Sequence, residues 1–450
     1  SVNDAPVFDS GSTTAETSNV LINSAPVDVI SPGRSRHEFR NSKAFAVLKD
    51  DGSVVTWGDA NSGGDSSTVA AQLSGGVAQL FSTESAFAAV KSDGSLITWG
   101  DPNAGGDSSA ITADLNSNVS RVFSTQSAFA ALLDDGSVVT WGDLGGDSTA
   151  VQDQLTSGVT NVFSNQGAFV ALKDDGSVVT WGDPANGGEI SPTLEFQATA
   201  EYGGYPRTGS LISELLSSGV VDIVSTNSAF AALKEDGSVV AWGNDQEGGS
   251  QAGAVTTDLG AMTDYNDPLS YGITNIYATD TAFAALRGDG KHIITWGDSS
   301  SGGNGGETLQ NNGDFFNATY ANGKIIDIVT TNSAFAALTV NNDGYRGVVT
   351  WGNPDNGGNP PDNIKGTLFS GIQSVVATDT AFAALGENIV VTWGDTKDTR
   401  SLEDINNNLV YRFSDIVANE SAFAAVTEYG EVKTWGDPNA GGDSSSVLEE

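Results

Sequence analysis

Cysteine is absent from the 450 residues, and histidine occurs only as His37 and His292. The first absence excludes a disulfide scaffold, a thiolate zinc site and a cysteine nucleophile. The second leaves little room for a histidine-ligated metal or a Ser/His/Asp triad. Basic residues are also scarce: 19 Lys and Arg stand against 57 Asp and Glu, a formal net charge of −38. Nucleic acid and anionic membrane both require a basic face, so neither is expected as a partner. No apolar run approaches the ~18 residues of a membrane-spanning helix, and no membrane insertion is expected. Charged residues are only 17%, under the ~25% norm, so Ser, Thr, Asn and Gly must make up much of the surface. Beginning at Ser1 without a signal-peptide pattern, the chain reads as a processed form or an excised segment of something longer.

What is abundant is repetition. All nine tryptophans precede a glycine: Trp57, Trp99, Trp141, Trp181, Trp242, Trp296, Trp351, Trp393 and Trp435. Each follows an Ala-Phe pair, with phenylalanines at 45, 87, 129, 169, 230, 283, 335, 382 and 423. The Phe-to-Trp offset is 12 in six copies and 13, 16 and 11 in the others. In its clearest form the unit reads Ser-Ala-Phe-Ala-Ala-Leu, Asp-Asp-Gly-Ser, Val-Val-Thr-Trp-Gly-Asp. Two short apolar runs around an Asp-Gly turn predict a β-hairpin, because glycine accepts the positive φ such a turn needs. A further β-type run lies upstream, as in Val221-Asp222-Ile223-Val224. Downstream, a Gly-Gly-Asp-Ser-Ser loop leads to apolar pairs at Val69/Leu73, Ile111/Leu115 and Val151/Leu155. There a short helix capped by Ser competes with a marginal fourth strand.

Hairpins recurring every ~40–50 residues suit propeller blades, whereas a parallel β-helix would not place a tight hairpin in each copy. The fold expected is all-β: a β-propeller of about nine hairpin units with short helical turns between blades. An open superhelical array, or a seven-bladed ring with extra repeats, is the alternative. The tryptophans and phenylalanines are expected to fill the layers between blades.

The Ala-Leu, Asp-Gly, Val-Val-Thr-Trp-Gly-Asp pattern resembles the repeats of regulator-of-chromosome-condensation-like propellers over about residues 27–447. That family includes a secreted bacterial β-lactamase-inhibitor propeller. The chain departs from it in having nine units where seven blades are typical, and Gly-Gly-Asp where the family has Gly-Gln-Leu-Gly. No motif matches the family's nucleotide-exchange activity. Outside the repeat, residues 1–26 form a linker or a closing strand, and 27–450 form the repeat domain. Val2-Asn3-Asp4-Ala5-Pro6-Val7-Phe8 resembles the junctions between cadherin-like modules of large bacterial surface proteins. These resemblances imply a segment of a secreted or cell-surface, adhesin-type bacterial protein.

Function is sought where the copies differ. Insertions at 189–218, 250–273 and 305–327 occupy equivalent positions and carry Phe196, Tyr202, Tyr205, Arg207, Tyr265, Tyr271, Phe315, Phe316 and Tyr320. Tyrosine offers amphipathic contact area at low entropy cost, so these loops are the candidate ligand-binding surface; packing on each other as a cap is the alternative. Four basic residues, Arg34, Arg36, Arg40 and Lys43, fall within ten positions. They are candidates for docking an acidic surface of another copy or of a neighbouring domain. Finally, Asp59, Asn61 and Asp65, Asp101, Asn103 and Asp107, and Asp437, Asn439 and Asp443 space oxygens at alternate positions, as Ca²⁺ loops do. Tight turns ask for the same residues. The function expected is a non-catalytic extracellular interaction or adhesion module binding a protein or glycan. A propeller hydrolase or lyase with a central carboxylate site, or an enzyme-inhibiting propeller, is the alternative.

Overall fold

The computed structural model describes residues 21–22, 39–115, 118–143, 145–190, 212–250, 255–256, 272–305, 324–369, 371–386, 389–395, 413–438 and 441–442. Each repeat folds as an antiparallel meander, giving nine separate sheets in chain order. The chain divides into two compact units, the first holding sheets 1–4 and the second sheets 5–9.

In the first unit, sheet 1 comprises Leu21–Ile22, Ala44–Leu48 and Val54–Gly58, and sheet 2 comprises Val77–Ser82, Ala86–Lys91 and Leu96–Gly100. Sheet 3 comprises Val119–Ser124, Ala128–Leu133 and Val138–Gly142, and sheet 4 Val159–Ser164, Ala168–Lys173 and Val178–Gly182. The second unit opens with sheet 5, Val220–Ser225, Ala229–Lys234 and Val239–Gly243. Sheet 6 is Ile273–Ala278, Ala282–Arg287 and Ile293–Gly297, and sheet 7 is Lys324–Thr330, Ala334–Val340 and Arg346–Gly352. Sheets 8 and 9 are Ile372–Ala377, Ala381–Gly386 and Val390–Gly394, then Phe413–Ala418, Ala422–Thr427 and Val432–Gly436. Leu21 and Ile22 pair with Leu48 and Val47, so a piece of the 1–26 stretch supplies the opening strand of sheet 1. The fourth strand weighed from the sequence occurs in sheet 6, where Val255 and Thr256 pair with Thr295 and Ile294.

Alternation along the middle strand sets the packing, because successive side chains in a strand point to opposite faces. In sheet 2, Phe87 and Ala89 join Trp99 and Ile97 against Ala44, Ala46 and Leu48 of sheet 1. The intervening Ala86, Ala88 and Val90 face the other way, toward Phe129 and Trp141 of sheet 3. The same arrangement recurs between sheets 3 and 4 and through the second unit. Phe and Trp lie directly across the hairpin, as in the Phe87–Trp99 register pair. Their rings stack in all nine repeats, with centroids from 5.0 Å in Phe335–Trp351 to 5.4 Å in Phe169–Trp181. The bulky-against-small layering expected from Ala-Phe-Ala-Ala is therefore present, with alanine on the opposite face in most copies and valine at Val170.

The segment after each Trp-Gly strand also has a local cause. A 3-10 turn such as Pro102–Ala104 ends on Gly105 at φ 92°. A Cβ there would lie 2.5 Å from the Phe129 ring, so glycine is required by both backbone and space. The helical turns expected further on are Ser67–Val69, Ser109–Ile111 and Thr149–Gln154. Their capping differs from expectation. Ser66, Ser108 and Ser148 make no side-chain cap. Asp65, Asp107 and Asp147 accept from the backbone N–H two residues on instead, each at 2.9 Å.

Candidate functional site

The acidic loops come first, since they carry the candidate calcium residues. Asp59 accepts from the backbone N–H of Ser62 at 2.9 Å, and Asp101 accepts from that of Asn103 at 3.0 Å. Asp65 and Asp107 are held below the ordinary carboxylate value by the backbone N–H and then the hydroxyl of Ser67 and Ser109. Asn61 and Asn103 are exposed. Asp437 begins the last such loop, while Asn439 and Asp443 lie outside the described residues. Among the described residues, no three acidic or histidine side chains converge where one metal ion could sit. The degenerate copies are instructive: Asn244 and Asn353 accept from Gln246 and Asp355, each at 3.0 Å, in the position of Asp101. What the position uses is an acceptor oxygen, with or without charge. Asp101→Asn is therefore expected to leave the urea midpoint nearly unchanged, whereas Asp101→Ala should cost ~1 kcal/mol, the usual loss for a helix cap. Equal destabilisation by both substitutions would show that the charge itself is needed.

Sequence reasoning passed over a second row of polar residues, the bend between the first and middle strands. Its signal is the Thr/Asn-x-Ser/Thr/Gly triplet standing before Ala-Phe in most copies. The leading residue is buried in most copies, Thr83, Asn165, Thr226, Thr331 and Thr378 being each 0% exposed, while Asn419 of sheet 9 is exposed. Thr83 Oγ1 accepts from the N–H of Ala86 and donates to the carbonyl of Ala104, both at 3.0 Å. It thereby ties the bend to the 3-10 turn of the same repeat.

The middle residue of each triplet links neighbouring sheets. In the first unit the backbone N–H of Ser42, Glu84 and Gln126 donates to the carbonyl of Glu84, Gln126 and Gln166, at 3.2, 3.1 and 3.0 Å. In the second unit the series runs Asn227, Asp280, Asn332, Asp379 and Glu420, with bonds of 2.7 to 2.9 Å. Sheets 2–9 thus each place one carboxylate or amide residue in a backbone-fixed row, and sheet 1 places Ser42 there. Gln126 donates to Glu84 at 2.8 Å within it. Such a row offers acceptors and donors suited to hydroxyl or amide groups of a partner.

Tyr202, Tyr205, Arg207, Tyr265, Tyr271, Phe315, Phe316 and Tyr320 all lie outside the described residues, as do Phe196, Arg34 and Arg36. Arg40 and Lys43 are exposed on the approach to the middle strand of sheet 1. The roots of the three insertions are described and alike. The N–H of Gly188, Gly249 and Gly303 donates to the carbonyl of Asp183, Asn244 and Asp298, at 2.9, 2.7 and 2.8 Å.

His292 breaks the repeat at the hairpin turn of sheet 6, where its Nδ1 meets Asp289 at 2.5 Å. Burial opposes ionisation of Asp289, yet the backbone N–H of Lys291 and the imidazole outweigh it and hold the carboxyl below its ordinary value. Among the described residues, the imidazole Nε2 is buried and has no hydrogen-bond partner. The turn carboxylates Asp51, Asp93, Asp135, Asp175 and Asp236 are likewise held low, first by the hydroxyl and then by the N–H of the serine two residues on.

No protein-family model matches the chain, and no curated protein matches it. Among solved structures, it is similar to the CRINKLY WD40 ectodomain of the Arabidopsis thaliana receptor kinase ACR4, at 13% identity over 69% of this chain and 90% of that one, TM-score 0.30. It is also similar to yeast RCC1 (Prp20) bound to Kap60, at 13% identity over 91% and 81% of the two chains, TM-score 0.32. The computationally designed Ika8 protein matches at 11% identity over 90% and 98%, TM-score 0.30. The assignment to propeller-type blades rests on the nine meandering sheets and their register.

Proposed function

We propose that the chain is a non-catalytic interaction module of a secreted or cell-surface protein, taking a protein or glycan partner through its aromatic insertions. The observation that carries this reading is constancy of scaffold beside variation of loops. Sheets 5, 6 and 7 repeat the same core and hydrogen bonds. The segments joined to them at like roots lengthen and gain aromatic residues. Loops on a rigid scaffold are where proteins place recognition. The polar row adds side chains able to meet hydroxyl and amide groups. Against a hydrolase, the recurring carboxylates at the acidic loops and hairpin turns serve as backbone acceptors, an arrangement that uses them structurally.

The test is a glycan array and a cell-surface protein screen with the intact chain, repeated with the Tyr202→Ala/Tyr265→Ala double variant. Any hit is expected to weaken at least about 30-fold, as for loss of tyrosine anchors, with unchanged circular dichroism. Hits insensitive to the double variant would overturn the assignment to these loops.

A further inference from the structure

The hairpin of sheet 7 departs from the others. Its strands Ala334–Val340 and Arg346–Gly352 have seven residues each, against six and five in sheet 2, so its turn stands further out. Where sheets 1 to 5 have Asp-Gly-Ser, this turn reads Asp343-Gly344-Tyr345-Arg346. Asn341 fixes the tip: its Oδ1 accepts from the backbone N–H of Asp343 at 3.0 Å and of Tyr345 at 2.9 Å. The N–H of Asn341 in turn donates to the carbonyl of Tyr345 at 2.9 Å. Tyr345 is 60% exposed, an aromatic ring on a tied-down turn.

The neighbouring element carries a second ring. The helix Asp362–Leu368 buries Leu368 in one cluster with Val348 of sheet 7 and Ile372 of sheet 8. Phe369 follows and is 37% exposed. It stands where other repeats have Ser74, Thr156 and Ser217, each one residue after the buried Leu73, Leu155 or Leu216. Arg346 joins the two elements. It pairs with Val340 at the end of the long hairpin, and its Nη1 donates to the carbonyl of Gln373, in the first strand of sheet 8, at 3.3 Å. Among the described residues Arg346 makes no ion pair, although the chain carries a net charge of −38. Lys365, by contrast, is held by Asp362 at 2.8 Å. Asn342 and Gln373 add exposed amides.

We propose that Tyr345, Arg346 and Phe369 form a second binding site, for an acidic sugar whose carboxylate meets the guanidinium. The charge selects the carboxylate. With Nη1 turned to Gln373, Nε and Nη2 remain as a parallel pair of donors, the fork from which a carboxylate accepts two bonds. The rings select a sugar. The C–H face of a pyranose packs on exposed aromatic rings, which offer contact area at low entropy cost. Asn342 and Gln373 can each donate to and accept from its hydroxyls. An extended peptide would instead add to an open strand edge, and at this tip the backbone groups of Asn341, Asp343, Gly344 and Tyr345 are already bonded within the turn. The site is distinct from the aromatic insertions and does not rest on them.

Titration calorimetry of the intact chain in about 0.15 M salt, where charges beyond ~8 Å are screened, tests this with oligogalacturonate, oligoalginate and sialyllactose up to millimolar concentration. At least one is expected to bind, and its methyl ester to bind about 10-fold or more weakly, the loss for a charged hydrogen-bonded pair. Arg346→Gln should lose the same factor and Arg346→Lys part of it, while Tyr345→Ala should weaken binding several-fold, all with unchanged circular dichroism. Tyr429→Ala is the control. Tyr429 is also a hairpin-turn tyrosine, 80% exposed, but it is flanked by Glu428 and Glu431, and its loss should change nothing. Binding of none of the probes would overturn the proposal, as would binding that survives Arg346→Gln. Loss of binding in the Tyr202→Ala/Tyr265→Ala variant would overturn it by moving the site to the insertions. Poly-glutamate competing as well as the best sugar would overturn it too, because the partner would then be an acidic peptide.

Discussion

Replacing Thr83 by valine is expected to lower stability by about 3 kcal/mol, although the two side chains have nearly the same shape. The hydroxyl is fully buried and has two partners, the N–H of Ala86 and the carbonyl of Ala104, both at 3.0 Å. Valine offers neither, so a buried donor and a buried acceptor are left unsatisfied, each at ~1–3 kcal/mol. Water cannot easily replace them, because Ala86 and Ala104 are themselves 0% and 5% exposed. Urea denaturation should show the shift in midpoint, and hydrogen exchange should localise it to the amide of Ala86. Other copies supply the control. Asn165 performs both roles, accepting from Ala168 at 3.0 Å and donating to the carbonyl of Asn186 at 2.7 Å. Thr83→Asn is therefore expected to recover much of the loss. A valine variant as stable as wild type would mean that the bend is held by its backbone bonds alone.

That hydroxyl also shows where sequence reasoning reached and where it stopped. The hairpin was legible because Asp-Gly turns and two-residue alternation act locally, and the structure pairs Phe87 with Trp99 across the hairpin. The layering was legible because alanine and phenylalanine on opposite faces of one strand leave few ways to pack. The bend was not legible as a site. Thr83 looks like any polar residue before a strand until the carbonyl of Ala104, 21 residues away, comes within reach. The capping of Ser67–Val69 failed for a related reason. Ser66 Oγ is engaged by Thr56 at 2.8 Å, which leaves Asp65 to cap. The acidic loops could be read in two ways from spacing alone. Finding asparagine in the same turn geometry at 244 and 353 gives the positions a structural role independent of charge.

Trp296→Ala should destabilise the second unit by roughly 3–5 kcal/mol, the range for emptying a large buried aromatic site. The indole is 0% exposed, stacks on Phe283 at 5.1 Å and donates Nε1–H to the carbonyl of Gly248 at 3.0 Å. Gly248 in turn lies where a Cβ would meet the Phe283 ring at 2.5 Å. Tryptophan, phenylalanine and glycine therefore form one lock between sheets 5 and 6, and the surrounding strands cannot collapse into the space. Because a repeat array gains stability from each neighbour interface, the loss should be concentrated in the amides of those two sheets. Trp296→Phe keeps an aromatic ring and removes the hydrogen bond, so it should fall between wild type and alanine. Trp57→Ala provides the contrast. That indole has the same partner ring, Phe45 at 5.2 Å, but Phe45 is 45% exposed. With its partner ring this exposed, Trp57→Ala should cost only about 1 kcal/mol, the scale of an exposed aromatic contact. Equal losses at Trp57 and Trp296 would show that the stack within a sheet, and not the neighbouring alanine face, supplies the stability.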